Sequence, residues 1–211
     1  MKNLDLEEQE QLAELKAWWN QRGTLVVTAV LVAALGFAGW QGWRYWQLQR
    51  SADASNLYEA LTKAAQADDA KSVRDVNGML LERFGGTRYA ALGSLVAAKY
   101  YFDRSDLKAA RAQLESVLER SDALELKDLA RLRLANVLLD EKAYDEALKV
   151  LDAAHGAAFD AQFAMARGDV LVAKNQRAEA KSAYQLALEK SDPKNGAFRA
   201  AVNLRLDALG G

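Results

Sequence analysis

Cysteine is absent from this 211-residue chain, and histidine and proline each occur only once. No disulfide, thiolate nucleophile or cysteine-ligated metal site can therefore form. The single histidine, His155, has no carboxylates at metal-ligand spacing around it. The stretch "ERFGGTRYA" has paired glycines but lacks the spaced glycines and the lysine of a phosphate-binding loop. The sequence predicts a non-enzymatic protein with no catalytic, metal or cofactor site and no small-molecule substrate.

A large excess of either charge is also missing. The chain has 28 basic and 29 acidic residues, which gives a net charge of −1 at pH 7. Domains that bind nucleic acid concentrate lysine and arginine on one face, where the positive potential attracts phosphate groups. The balanced composition therefore predicts no nucleic-acid partner.

Charge is absent altogether from residues 23–43, where "TLVVTAVLVAALGFAGWQGW" is almost continuously apolar. Twenty helical residues rise about 30 Å, the thickness of the hydrocarbon core of a bilayer. We expect one transmembrane helix in contact with membrane lipid. It is expected to be retained, because the apolar run is longer than that of a cleaved signal peptide. The predicted organisation is an amphipathic segment over residues 1–22, a membrane anchor with an aromatic belt over 23–46, and a helical domain over 47–211.

Tryptophan is absent after position 46, and all five tryptophans lie near the two ends of the apolar stretch. Aromatic rings with a polar edge prefer the membrane–water interface, and arginine side chains extend from the ends of a span to water. The residues predicted to form this membrane belt are Trp18, Trp19, Arg22, Trp40, Trp43, Arg44, Tyr45 and Trp46. Within the span, the small residues predicted to allow close packing of another transmembrane helix are Ala34, Ala38, Gly39 and Gly42.

Scarce proline, together with abundant alanine, leucine, lysine, arginine and glutamate, favours helices after the span, and no stretch has the alternation of a strand. Three segments share an apolar helix end, a polar turn and a second helix with an alanine at one position. These alanines are Ala110, Ala147 and Ala180, which are 37 and 33 residues apart. With the same spacings, small residues occur in the preceding helices at Ala98, Ala135 and Gly168, and large residues in the second helices at Leu114, Leu151 and Tyr184.

This pattern is typical of the tetratricopeptide repeat, which has a period of about 34 residues and needs small residues where its two helices cross. Arg131 and Arg167 occupy positions that are apolar in the consensus, so a less regular array of helical hairpins is the alternative. We expect an atypical first hairpin from residues 51–67 and 70–84, and a single capping helix over 197–209. The predicted fold is all-α: one N-terminal transmembrane helix followed by a tetratricopeptide-like helical-hairpin solenoid.

The first helix of each repeat is expected to line a groove that binds a partner. Counted from the small residue of each helix, the groove positions are mostly apolar, which favours an apolar or amphipathic segment as the ligand. If the register is off by one, or if other helices of the chain cover this face, these residues belong to the core instead. The predicted groove residues are Leu92, Leu95, Lys99, Phe102, Leu129, Leu132, Asn136, Leu139, Gln162, Met165, Asp169 and Val172.

The layout resembles the YfgM family, the ancillary subunits of the bacterial SecYEG translocon. The resemblance covers nearly the whole chain, and its most specific parts are "GWRYW" at 42–46, "LRLA" at 132–135 and "EALKVLD" at 146–152. It implies a single-pass (type II) protein of the bacterial inner membrane with a cytoplasmic N-terminus and a periplasmic repeat domain. It also implies association with SecYEG and with PpiD, a membrane-anchored periplasmic chaperone.

Two functions stay open at this point. The resemblance implies a scaffold that passes secreted or membrane polypeptides from the translocon to periplasmic chaperones. The alternative is an envelope tetratricopeptide adaptor that organises another complex, in cell-wall synthesis or stress signalling. Charge does not decide the topology, because Lys16 and Arg22 before the span are balanced by Arg44 and Arg50 after it.

Overall fold

The computed structural model describes residues 6–210, and these residues form helices and turns with no β-strand. The first five residues of the predicted N-terminal segment, and Gly211, lie outside the described residues. The helices are α1 (Leu6–Gln66), α2 (Ala70–Phe84), α3 (Arg88–Phe102), α4 (Leu107–Arg120), α5 (Leu124–Asp140), α6 (Tyr144–Leu151), α7 (Asp160–Ala173), α8 (Arg177–Lys190) and α9 (Gly196–Ala208), with one turn of 3₁₀ helix at Ala157–Phe159. The predicted all-α fold class is confirmed.

The chain divides into two compact units, one up to Arg50 and one from Ser51 onward. We call the described part of the first unit the membrane segment and that of the second the repeat domain. Within the described residues, α1 is the one helix long and apolar enough to cross a membrane, and only 6% of its apolar stretch is buried. A core helix of a soluble domain would be mostly buried, so the exposure of this stretch favours a span.

Helix pairs joined by one kind of turn make up the repeat domain. Each turn contains one residue in the left-handed conformation, namely Asp68, Ser105, Lys142 or Asn175, with φ between 59° and 64°. The next residue in each turn donates its backbone N–H to the carbonyl five residues earlier, with N···O distances between 2.8 and 3.0 Å. This is the Schellman motif that ends many helices. Four equivalent turns therefore define four hairpins, and α9 follows them as a single helix.

Small residues lie where the paired helices cross, as the sequence predicted. Ala110, Ala147 and Ala180 are fully buried. A Cβ atom on Gly168 of α7 would lie 2.4 Å from Cε1 of Tyr184 of α8, which is too close for any side chain. The missing side chain of Gly168 thus makes room for the aromatic ring. The predicted repeat register is confirmed at these positions.

In the first hairpin, the first helix has a large residue where the other repeats have a small one, and the second helix has a smaller, polar residue where they have a large one. Counted from the left-handed residue of its turn, Leu61 stands where the other repeats have alanine or glycine, and Asn77 stands where they have leucine or tyrosine. Both side chains are buried. The space that Leu61 needs is provided partly by Gly93 of α3, where a Cβ atom would lie 3.1 Å from Leu61 and 2.4 Å from Leu80. A search for small residues at fixed spacing therefore does not detect this hairpin as a full repeat.

Ion pairs between consecutive repeats start from equivalent positions. In three of the turns, the residue just before the left-handed one forms an ion pair with a residue of the preceding repeat. Arg104 pairs with Asp68, Glu141 with Arg111 at 3.3 Å, and Lys174 with Asp145 at 2.5 Å. Water screens such exposed pairs, so they adjust the stacking of the repeats while the apolar core dominates it.

Candidate partner-binding face

The first helices of the repeats lie side by side, because α3 contacts α5 and α5 contacts α7. The predicted groove residues are on these three helices, and we call the surface that they form the A-helix face. Most of its apolar side chains are only half buried against the core beneath them. The half-buried apolar residues are Leu92, Phe102, Leu129, Leu132, Leu139 and Met165, and the exposed residues are Lys99, Asn136 and Val172.

Leu95 was predicted as a groove residue, but only 3% of its surface is exposed and it belongs to the central core. Leu132 and Met165 hold the equivalent positions in the next two repeats and are half buried. The Leu95 side chain packs within the apolar core, and Arg133 of α5 donates from Nη1 to the Leu95 carbonyl at 3.0 Å. Leu95 therefore stabilises the repeat domain and is not available to a partner.

Asp169 lies on α7 as predicted, but its carboxylate is already engaged. Oδ1 accepts hydrogen bonds from the Tyr184 hydroxyl and from Nε of Arg205, both at 2.7 Å. Burial of the phenol, and then its bond to Asp169, raises the pKa of Tyr184 above its usual value. These contacts join α7, α8 and α9, so Asp169 fixes the capping helix.

Arg131 occupies a position that is apolar in the repeat consensus. Its presence there is explained by its ion pair with the fully buried carboxylate of Asp128. Asp128 accepts from Nη1 of Arg131 at 2.7 Å and from the backbone N–H of Gly156 at 2.9 Å. A buried carboxylate needs partners of this kind, because an unpaired charge in the interior is costly. This arrangement ties α5 to the loop before α7. Arg167, the other departure, pairs with Asp152 in that region.

The only histidine is part of the same loop. The His155 ring stacks on Phe163 with a centroid distance of 3.9 Å, and its Nδ1 lies 3.0 Å from the Ala153 carbonyl oxygen. His155 lies beyond α6, which ends at Leu151. The described residues contain no group of three metal-ligating side chains. The ring therefore packs as part of the loop.

In the membrane segment, the side chains of the predicted belt are exposed. The rings of Trp18 and Trp19 are tilted by 44° with their centroids 6.4 Å apart, and the Arg44 guanidinium lies 5.6 Å from the centre of the Trp40 ring. An arginine above an indole face is a favourable cation–π contact, and the pair suits an interface with phosphate headgroups. The assignment of the belt to a membrane interface stays a prediction.

Known proteins resemble the chain over nearly its full length. A family profile described as a tetratricopeptide repeat-like domain matches residues 16–211. The ancillary SecYEG translocon subunit of Haemophilus influenzae is 31% identical over 182 residues, which cover 86% of this chain and 89% of that protein. This chain belongs to the ancillary SecYEG translocon subunit family. The relative from Neisseria gonorrhoeae is 30% identical over 207 residues, or 97% of this chain and 98% of that protein, and the relative from Escherichia coli is 30% identical over 185 residues, or 88% of each.

Membership in the ancillary-subunit family confirms the resemblance inferred from the sequence. The name of the family, together with one apolar helix near the N-terminus, fits a single-pass protein of the inner membrane. No solved structure matches the chain.

Arg133, which is not among the predicted groove residues, also lies on the A-helix face. A cavity of about 230 Å³ between α3 and α5 is lined by the predicted residues Lys99, Phe102 and Asn136, and also by Arg133. Arg133 follows Leu132 in the chain, so a helical count assigns it to the flank of the helix. A basic residue beside an apolar groove position was the only signal available, and such residues are common on solvated helix faces.

Proposed function

We propose that this chain is a non-enzymatic membrane protein that associates with the SecYEG translocon and binds polypeptide segments on its A-helix face. The observation that carries the proposal is the side-by-side placement of half-buried apolar side chains on α3, α5 and α7. Covering such surface removes it from water, which contributes about 25 cal/mol per Å² of apolar area. An apolar or amphipathic segment is the ligand that gains most from this surface.

The proposed role is to receive secreted or membrane polypeptides near the translocon and pass them to periplasmic chaperones, with PpiD as a direct partner. Relatives that are named ancillary SecYEG translocon subunits support the association with the translocon. The proposed orientation, which the family resemblance supports, has the N-terminus in the cytoplasm and the repeat domain in the periplasm. A reporter that is active only in the periplasm should be active when fused after Gly211 and inactive when fused before Leu4. The opposite result would exclude a periplasmic role.

The binding surface is tested by Leu132→Glu in the full-length protein, with Leu186→Glu as the matched control. Leu132 lies at the centre of the A-helix face, whereas Leu186 is an exposed leucine on α8. Loss of one central apolar contact, about 1.5–3 kcal/mol, should weaken binding about tenfold or more. We expect cross-linking in native membranes, followed by mass spectrometry, to recover SecY, PpiD and translocating chains with the control and much less with Leu132→Glu.

Three other results would change the proposal. If Leu132→Glu keeps its helical content and captures the same partners as the control, the A-helix face is not the binding surface. If the variant unfolds, Leu132 belongs to the core. If cell-wall or stress-signalling proteins are recovered in place of SecY and PpiD, the chain is an adaptor of another envelope complex.

A further inference from the structure

The cavity between α3 and α5 combines an apolar floor with charged and polar groups at its edge. Ala98, Leu114 and Val137 supply apolar lining, and Lys99, Arg133 and Asn136 supply polar groups. A volume of about 230 Å³ is large enough for one apolar side chain and the polar group that accompanies it. The cavity lies within the A-helix face, so any segment bound there passes over it.

Arg133 lines the cavity, and within residues 6–210 no carboxylate forms an ion pair with it. Its guanidinium is half buried, which lowers its pKa, although an arginine is always charged near neutral pH. The bond from Nη1 to the Leu95 carbonyl fixes the side chain in place. The arginines of the repeat domain that do pair with a carboxylate include Arg104, Arg111, Arg131, Arg167 and Arg205.

The other groups at the edge do not neutralise this charge. Asp103 is a carboxylate that also lines the cavity, but it pairs with Lys99 at 2.7 Å, so these two charges cancel, and the lysine side chain is 66% exposed. Asn136 is exposed and offers an uncharged amide. A half-buried guanidinium without a counter-ion is desolvated at a cost that a carboxylate from a partner would offset. The charge of the cavity therefore complements an acidic group.

Apolar side chains of the repeat domain continue on both sides of the cavity. Half-buried Met165 is on α7, next to α5, and half-buried Tyr58 is on the part of α1 that shares a core with α3. A segment that gains from all these contacts extends past the cavity in both directions. Its acidic group is then a side chain within the segment and not the carboxylate of a chain terminus.

We propose that the cavity selects internal polypeptide segments in which an apolar residue and an acidic residue are two positions apart. In an extended chain, side chains at i and i+2 point to the same side. The apolar side chain packs on half-buried Phe102, above the buried floor of Ala98, Leu114 and Val137, while the aspartate or glutamate binds Arg133. This selectivity rests on the proposed function, because it names the class of segment that the A-helix face binds.

The test uses fluorescent peptides with both termini blocked and the full-length protein in nanodiscs, with affinity measured by anisotropy. One peptide carries Leu-Ser-Glu, the second Leu-Ser-Gln, and the third Leu-Glu-Ser, which places the acid on the other side. Wild-type protein should bind the first peptide about tenfold more tightly than the other two, because a charge-assisted hydrogen bond forms only there. A fourth peptide ends in leucine with a free carboxylate, and it should bind no better than the second.

Arg133→Gln should abolish the preference for the first peptide, and Arg74→Gln, an exposed arginine on α2, should preserve it. The affinities of the four peptides for the wild-type protein test the proposed selectivity even if Arg133→Gln does not fold. Equal affinities of the first two peptides, or no binding of either, would overturn the proposed selectivity, and so would tightest binding of the free carboxylate. The proposed function fails separately, if Leu132→Glu captures the same partners as Leu186→Glu.

Discussion

Small residues occur in both regions of the molecule, but their surroundings are opposite. In the repeat domain, Ala147 is fully buried and Gly168 leaves space for the ring of Tyr184. In the membrane segment, a Cβ atom on Gly39 or Gly42 would meet none of the described residues within 4 Å. The small residues of the repeat domain already have partners within the chain, whereas those of the span are available to another helix. The same residue type therefore stabilises the fold in one region and can support association in the other.

The largest effect is expected when a buried alanine of the repeat domain is enlarged. Ala147→Leu should destabilise the protein by about 1–3 kcal/mol, because three extra carbons do not fit where α5 and α6 cross. Urea unfolding of the full-length protein, followed by circular dichroism, measures the change. Ala112→Leu adds the same atoms at an exposed site on α4 and should change the free energy of unfolding by less than about 0.5 kcal/mol. Equal effects of the two substitutions would mean that Ala147 does not lie at a tight crossing.

Glycine gives a smaller and more selective test. Gly168→Ala should destabilise the protein, because its Cβ would displace a ring that is held by the bond from Tyr184 to Asp169. The overpacking of about 1–3 kcal/mol is partly offset by the helix propensity of alanine, about 0.5–1 kcal/mol. Gly78→Ala, on the open surface of α2, receives only the second effect and should stabilise the protein. Stabilisation by both substitutions would show that the contact between Gly168 and Tyr184 is loose.

The smallest effect on folding is expected in the membrane segment. Gly42→Leu should leave the unfolding of the repeat domain unchanged within about 0.5 kcal/mol, because nothing among the described residues surrounds that position. If the stripe of small residues packs on another transmembrane helix, the substitution should reduce co-purification of the translocon from mild detergent. Gly36→Leu is the matched control. Gly36 is two residues from both Ala34 and Ala38, and two residues rotate a helix by about 200°, so Gly36 lies on the side opposite these two alanines. Equal co-purification with both variants would remove the stripe as an interface.

Much of the candidate site could be placed on the correct helices from sequence alone. The spacing of Ala98, Ala135 and Gly168 assigned the register of α3, α5 and α7, and the half-buried leucines of the A-helix face follow from that register. The exposure of single residues could not be predicted in the same way. Leu95 and Leu132 hold equivalent positions, yet Leu95 is buried in the core and Leu132 is only half buried.

The sequence by itself determined the features that depend on local composition and period. An uncharged run of twenty residues is long enough to span a bilayer wherever it occurs, and small residues at a fixed spacing require helices that cross closely. The tertiary structure alone decided which charges are neutralised. Asp128 and Arg131 pair in the interior, Asp169 binds the capping helix, and Arg133 forms no ion pair among the described residues, although Asp103 lines the same cavity and pairs with Lys99. Such differences depend on distances between separate helices, and the order of residues along one helix does not specify them.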